Sequence, residues 1–198
     1  MSERKILKNI LFVVSHLGSG YENLIYSLNK NERIDIKFLQ LSYTHPEVLD
    51  YLYNAGHKLD NSASFYGDLI LFNKNFSCKA FYKFAKFIYF IHSPYQTLNR
   101  ICLLNKLSEN EAFKYYSFRL RRIYEMATYT KDAIITSHDD LINNKNYELI
   151  ENYLNLKNKF SYNFSEEQIE NKISPSLMKK ANDCYERYLF LFKKLVNN

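Results

Sequence analysis

Close to its N-terminus the chain carries a continuous apolar run, Asn9-Ile-Leu-Phe-Val-Val-Ser15, that leads directly into His16-Leu-Gly-Ser-Gly-Tyr-Glu22. A short apolar run rich in β-branched and aromatic residues reads as a strand buried on both faces, which requires a parallel sheet covered on both sides. Gly18 and Gly20 break the run, and the amphipathic segment Tyr21–Lys30 follows. Strand, glycine turn and helix start are the parts of an oxyanion site. Glycines let the backbone approach a ligand closely, and the first amides of a helix point outward at it. A tight turn with no ligand has the same sequence; the first βα turn of an α/β domain is, however, where phosphates are commonly held. The loop lacks G-x-G-x-x-G, and no Lys-Ser/Thr pair follows Gly20, so it is neither a dinucleotide fingerprint nor a full Walker A motif.

The remaining chain repeats the alternation. Ile34–Leu41, Asp68–Asn73, Phe87–Ile91 and Asp132–Thr136 read as further strands. Pro46–Ala55, Phe76–Lys86, a segment from Pro94 to about Leu107, Asn146–Leu154 and Ser174–Val196 read as helices, with Ser62–Tyr66 and Lys157–Lys172 as polar connections. Ser108-Glu-Asn-Glu111 is a capping-box signature that opens a long helix to about Thr130. The expectation is one α/β domain over residues 1–198, a three-layer sandwich around a mostly parallel sheet of about five strands. Four glycines and three prolines leave little room for flexible linkers. Cys78, Cys102 and Cys184 are odd in number and widely spaced, which suits reduced thiols and a cytoplasmic location. No apolar run is long enough to span a bilayer. The net charge of +6 favours anionic ligands, but the many Tyr and Phe residues fit a Lys- and Asn-rich composition and give no ground for a nucleic-acid partner.

Phe87–Arg100 repeats the physics of the first turn: buried strand, a proline-containing turn at His92-Ser-Pro94, then a helix. Together the two turns resemble the sulfotransferases that use 3′-phosphoadenosine-5′-phosphosulfate. In that family a first loop of roughly Lys/Arg-Ser-Gly-Thr-Thr cradles the phosphosulfate, and an Arg-x-Pro turn with a later Ser holds the 3′-phosphate. His16-Leu-Gly-Ser-Gly20 overlays the first and Ile91-His-Ser-Pro94 the second. Ala133-Ile-Ile-Thr-Ser-His-Asp-Asp-Leu141, followed by Leu149–Leu156, is similar to the family's later strand, acidic turn and helix end.

The resemblance implies a P-loop-like fold and transfer of a sulfuryl group, without metal, from an anionic nucleotide donor to a small-molecule or glycan acceptor. It places Leu17, Gly18, Ser19, Gly20, Tyr21, His92 and Arg100 at the donor, with His16 as charge stabiliser and Asp68 as candidate base. Arg119 and Arg122, three apart on the long helix, are expected to share a face and add cations, whereas Arg121 is expected to pair with Glu125. His138-Asp139-Asp140 reads as a loop and helix cap rather than a metal site. His16 and His92 stand where the family has permanent cations, so donor affinity is expected to rise as pH falls through roughly 6.5. A non-catalytic relic of the fold that binds an anion or a partner is the alternative. A fragment of a nucleotide-sugar glycosyltransferase is a further alternative: it fits the opening strand and turn, but 198 residues cannot supply the second domain that carries most donor contacts in those enzymes.

Overall fold

The computed structural model describes residues 10–31, 33–37, 65–70, 85–164 and 170–196, with backbone alone for 66–70 and 196. The expected helices Pro46–Ala55 and, up to residue 84, Phe76–Lys86 lie outside the described residues, as do Cys78 and the far ends of the second and third expected strands.

Among the described residues the elements alternate as β1 (Ile10–Val14), α1 (Tyr21–Asn29), β2 (Ile34–Lys37), β3 (Phe65–Ile70), β4 (Lys86–Ile91), α2 (Pro94–Asn105), α3 (Glu109–Ala127), β5 (Ala133–Ser137), α4 (His138–Ile142), α5 (Tyr147–Leu154) and α6 (Pro175–Val196). The strands pair in parallel in the order β2-β3-β1-β4-β5. β3 begins at Phe65, inside the stretch Ser62–Tyr66 expected to be a connection. Its partner β2 sets that start: Ile34 is in register with Phe65, and the Phe65 amide donates to the Arg33 carbonyl.

Every residue of β1 is fully buried, as a strand covered on both faces must be. Side chains alternate across the sheet, so Ile10, Phe12 and Val14 join Phe87, Tyr89 and Ile91 in one core beneath α2, α3 and α6. Leu11, Val13, Ile88 and Phe90 face the opposite core, under α1, α4 and α5. Ser108 caps α3: its hydroxyl accepts from the Glu111 amide while the Glu111 carboxylate accepts from the Ser108 amide. Residues 155–164 form neither helix nor strand, yet Phe160 and Tyr162 are buried in the second core. No described helix is long and apolar enough to cross a membrane.

The strand order decides where a ligand can sit. After β1 the chain moves towards β2, with α1 on one face; after β4 it moves towards β5, with α2 and α3 on the other. The connections therefore diverge at the carboxyl ends of β1 and β4, which leaves a crevice at that point.

Candidate anion-binding site

The turn after β1 is held from below by its own serines. Ser15 Oγ donates to the Phe90 carbonyl at 2.7 Å. Its one proton is thereby used, so the Ser19 hydroxyl, 2.7 Å away, donates to Ser15 Oγ. Ser19 is fully buried, and its amide reaches back to the His16 carbonyl. The Leu17 amide donates to Tyr115 Oη at 3.1 Å. The Ser19 side chain therefore braces the turn. Gly18 and Gly20 both have positive φ, 73° and 76°, which only glycine adopts without strain.

The two glycines face different neighbours. A Cβ on Gly18 would stand 2.8 Å from the Thr97 carbonyl oxygen, so its bareness lets the turn pack on the first turns of α2. A Cβ on Gly20 would stand 3.5 Å from Arg100 Nη1 and 3.7 Å from His138 Nδ1. Gly20 is thus the residue whose open side looks onto charged and titratable groups. It also caps α1 with no side-chain hydrogen bond. Tyr21, at the first position of α1, buries its ring in the second core. A cavity of about 410 Å³ opens here, lined by Leu17, Gly18, Gly20, Tyr21, Arg100 and the exposed Leu103 and Leu104, among others.

His16 joins the two turns. It is fully buried; its Nδ1–H donates to the Leu17 carbonyl at 3.0 Å and its Nε2 accepts from the His92 amide at 3.1 Å. The pattern fixes a neutral tautomer with both nitrogens engaged. Burial lowers its pKa to about 4, with the Arg119 charge acting in the same direction against the Leu17 hydrogen bond. His92 is 2% exposed, and its carbonyl accepts from Tyr116 Oη at 2.8 Å. Burial, and then the neighbouring His138, His16 and Arg100, hold its pKa at about 2. Where the resemblance places a charge stabiliser and a phosphate contact, the chain holds two neutral imidazoles, because the site that receives them is dry and already cationic.

The arginines separate. Arg100 is mostly buried beside Gly20, with its guanidinium 5.7 Å from the Phe164 ring centroid. Arg119 is 2% exposed and donates from Nε to the Ser15 carbonyl at 2.9 Å; burial lowers its pKa to about 10, so it stays charged at neutral pH. It supports the end of β1 from beneath the turn. Arg122 lies on the outer surface, bonded to Glu125 Oε2 at 2.7 Å, and Arg121 bonds the other oxygen of Glu125. The shared face expected for Arg119 and Arg122 fails for a geometric reason: three residues leave side chains about 60° apart round a helix. At this edge of the core that angle puts one inside and one out. Asp68 lies in β3, its backbone between Phe12 of β1 and Lys37 of β2, and its side chain lies outside the described residues.

His138 completes the site. His138-Asp139-Asp140, expected to be a loop and helix cap, is instead the first turn of α4, and the cap is Ser137, whose hydroxyl accepts from the Asp140 amide. His138 itself turns inward. It is fully buried, with Nδ1 2.7 Å from Tyr162 Oη and its ring 4.0 Å from that of His92, centroid to centroid. Burial and the Arg100 charge lower its pKa to about 4. Asp139 stands at the rim, its carboxylate 3.3 Å from Tyr185 Oη and 3.9 Å from His92 Nε2; burial raises its pKa. The signal for His138 was its position: like His16 and His92 it falls just past the carboxyl end of a strand. Among the described residues no group of His, Cys, Asp and Glu is arranged to hold a metal. No protein-family model matches the sequence, and no curated protein is significantly similar to it.

Proposed function

We propose that the chain is a sulfotransferase-like protein with a P-loop-like fold that holds an anionic nucleotide, 3′-phosphoadenosine-5′-phosphosulfate, at the turn after β1. One observation supports this reading above the others: the two turns that resemble the family's donor loops meet at the point where strand connections diverge, with Arg100 beside Gly20 in the adjoining cavity. In the proposed reaction an acceptor hydroxyl or amine attacks sulfur in line, the bond from sulfur to the bridging phosphate oxygen breaks, and the acceptor proton passes to a base. Positioning and charge stabilisation do the catalytic work. Arg100 supplies the cation, with the glycine-turn amides as donors.

A second reading, a non-catalytic domain that binds an anion, draws on a specific observation. His16 and His92 are neutral at physiological pH, so the leaving phosphate gains no charge from either. Titration calorimetry with adenosine 3′,5′-bisphosphate, ATP and a nucleotide sugar separates the readings. Donor binding predicts preference for the bisphosphate, with Arg100→Ala weakening it by about 1.5–3 kcal/mol and Arg122→Ala leaving it unchanged. Bisphosphate binding without sulfuryl transfer to any acceptor tried would favour the relic. Preference for the nucleotide sugar would sink both.

A further inference from the structure

The two edges of the sheet are finished differently. The Phe65 amide of β3 donates to the Arg33 carbonyl, so alternation along β2 turns the backbone groups of Ile34 and Ile36 away from the sheet. The chain itself supplies partners there. The Ile34 amide donates to the Asn31 carbonyl, and the Asn29 side chain both accepts from the Ile36 amide and donates to the Ile36 carbonyl, each at 2.9 Å. β5 is the opposite edge. The Phe87 amide of β4 donates to the Asp132 carbonyl, so along β5 it is the backbone groups of Ala133 and Ile135 that face outward. Both residues are partly exposed, and these groups have no hydrogen-bond partner among the described residues. The strand sequences differ in the same sense. β2, Ile-Asp-Ile-Lys, carries charges, the usual protection of an edge, whereas β5, Ala-Ile-Ile-Thr-Ser, carries none.

We propose that the open edge of β5 is a docking site for an extended, acidic peptide segment of another protein, which adds to the sheet as a further strand beside Ile135. Its backbone would accept from the Ile135 amide and donate to the Ile135 carbonyl. No ligand is needed at the turn after β1, which β4 separates from this edge.

The surroundings of the edge select this occupant. A cavity of about 220 Å³ opens at Ile135, below the roughly 300–1,000 Å³ usual for a small-molecule site. Leu149 of α5 and Lys145 of the preceding turn line it on one face of the sheet, and Leu189 and Lys193 of α6 on the other. An added strand turns successive side chains to these two faces in alternation, so each face offers it one apolar contact and one cation. Asp140 also lines the cavity, but its carboxylate is engaged by the Ser137 hydroxyl at 2.6 Å. Lys145 and Lys193 are exposed, and with the net charge of +6 they favour an acidic partner. They oppose a second copy of the chain, because two-fold pairing of β5 edges would bring two sets of these lysines together.

A phage-displayed library of random linear peptides, selected on the full chain, is the probe, and the enriched sequences are then synthesised. They should be β-prone and acidic. Methylating the peptide amide that pairs with Ile135 should weaken binding by up to about tenfold, the worth of one backbone hydrogen bond. Lys145→Glu combined with Lys193→Glu, both at exposed positions, should leave the fold intact and weaken binding by about tenfold or more. Hydrogen exchange locates the contact. In the free chain the outward Ile135 amide should exchange faster than the Ile134 and Thr136 amides, which face β4, and it should become protected when peptide is added. Failure to enrich any peptide, enrichment of basic peptides, indifference to the charge reversal, or an Ile135 amide left unprotected would each overturn the proposal. So would protection of that amide in the free monomer, which would mean that the chain covers its own edge. Protection that appears with dimerisation would give the edge to a second copy and overturn it equally.

Discussion

Gly18→Val is expected to destabilise the fold by roughly 2–5 kcal/mol, whatever it does to ligand binding. Two costs combine. A positive φ of 73° forces a β-branched residue into the left-handed region, at about 1–2 kcal/mol. The new Cβ would also stand 2.8 Å from the Thr97 carbonyl oxygen and 3.3 Å from side-chain atoms of Arg100 and Ile101, so turn and helix must separate, at about 1–3 kcal/mol. Gly20→Ala is the informative control. Its φ is equally positive, but its nearest neighbour, Arg100 Nη1, stands 3.5 Å away. Its stability cost should therefore be the strain alone, while anion affinity falls. Urea and thermal unfolding of both variants test the contrast. A Gly18→Val chain as stable as its parent would mean that the turn does not pack on α2.

Acid should unfold this protein earlier than its carboxylates alone would dictate. His16 and His92 have pKa values of about 4 and about 2 when folded, against about 6.5 when unfolded. A depressed folded value means that the unfolded chain binds more protons, so stability is full above about pH 6.5 and is lost as pH falls towards the folded values. At pH 5 each buried histidine should have cost about 2 kcal/mol, roughly 4 kcal/mol for the pair. That is a large part of the stability of an ordinary domain. Urea denaturation at about pH 7.5 and pH 5 measures it. A stability unchanged between those conditions would show that the folded chain protonates these imidazoles as readily as the unfolded chain does. The same values revise the pH dependence expected from the sequence, because near pH 6.5 neither His16 nor His92 gains the charge that would strengthen donor binding.

The sheet was legible because its strands are extreme. Leu11–Val14 and Phe87–Ile91 are apolar without interruption, and only burial on both faces accommodates that pattern. Ser108 and Glu111 announced their helix through the only local geometry that satisfies both. The site was legible in outline: Gly18, Gly20, His92 and Arg100 are adjacent in space as their two turns suggested. What sequence could not supply was direction. Whether a glycine's bare side faces a helix or a ligand depends on packing between elements far apart in the chain. The same packing decides which group each nitrogen of His16 engages, and whether Arg119 or Arg122 points inward. Phe160 and Tyr162 were hidden for a different reason. They sit in a polar stretch with no periodicity, and their burial is created by the sheet and α5 rather than by any local pattern.

The position of β1 bears on how the chain reaches this structure. The most apolar strand is central, yet its partners come much later: Ile10 pairs with Tyr66, and Leu11 with Lys86. Until β4 has been synthesised, β1 cannot be flanked on both sides, and its backbone edge is open to the wrong neighbour. Such non-local parallel pairing slows folding and lengthens exposure of aggregation-prone surface. The Ser15 carbonyl waits longer still, for Arg119 on α3. Pulse-labelled hydrogen exchange during refolding should therefore show β1 amides gaining protection no earlier than those of β4. A chain whose first strand is made first would complete it among the last.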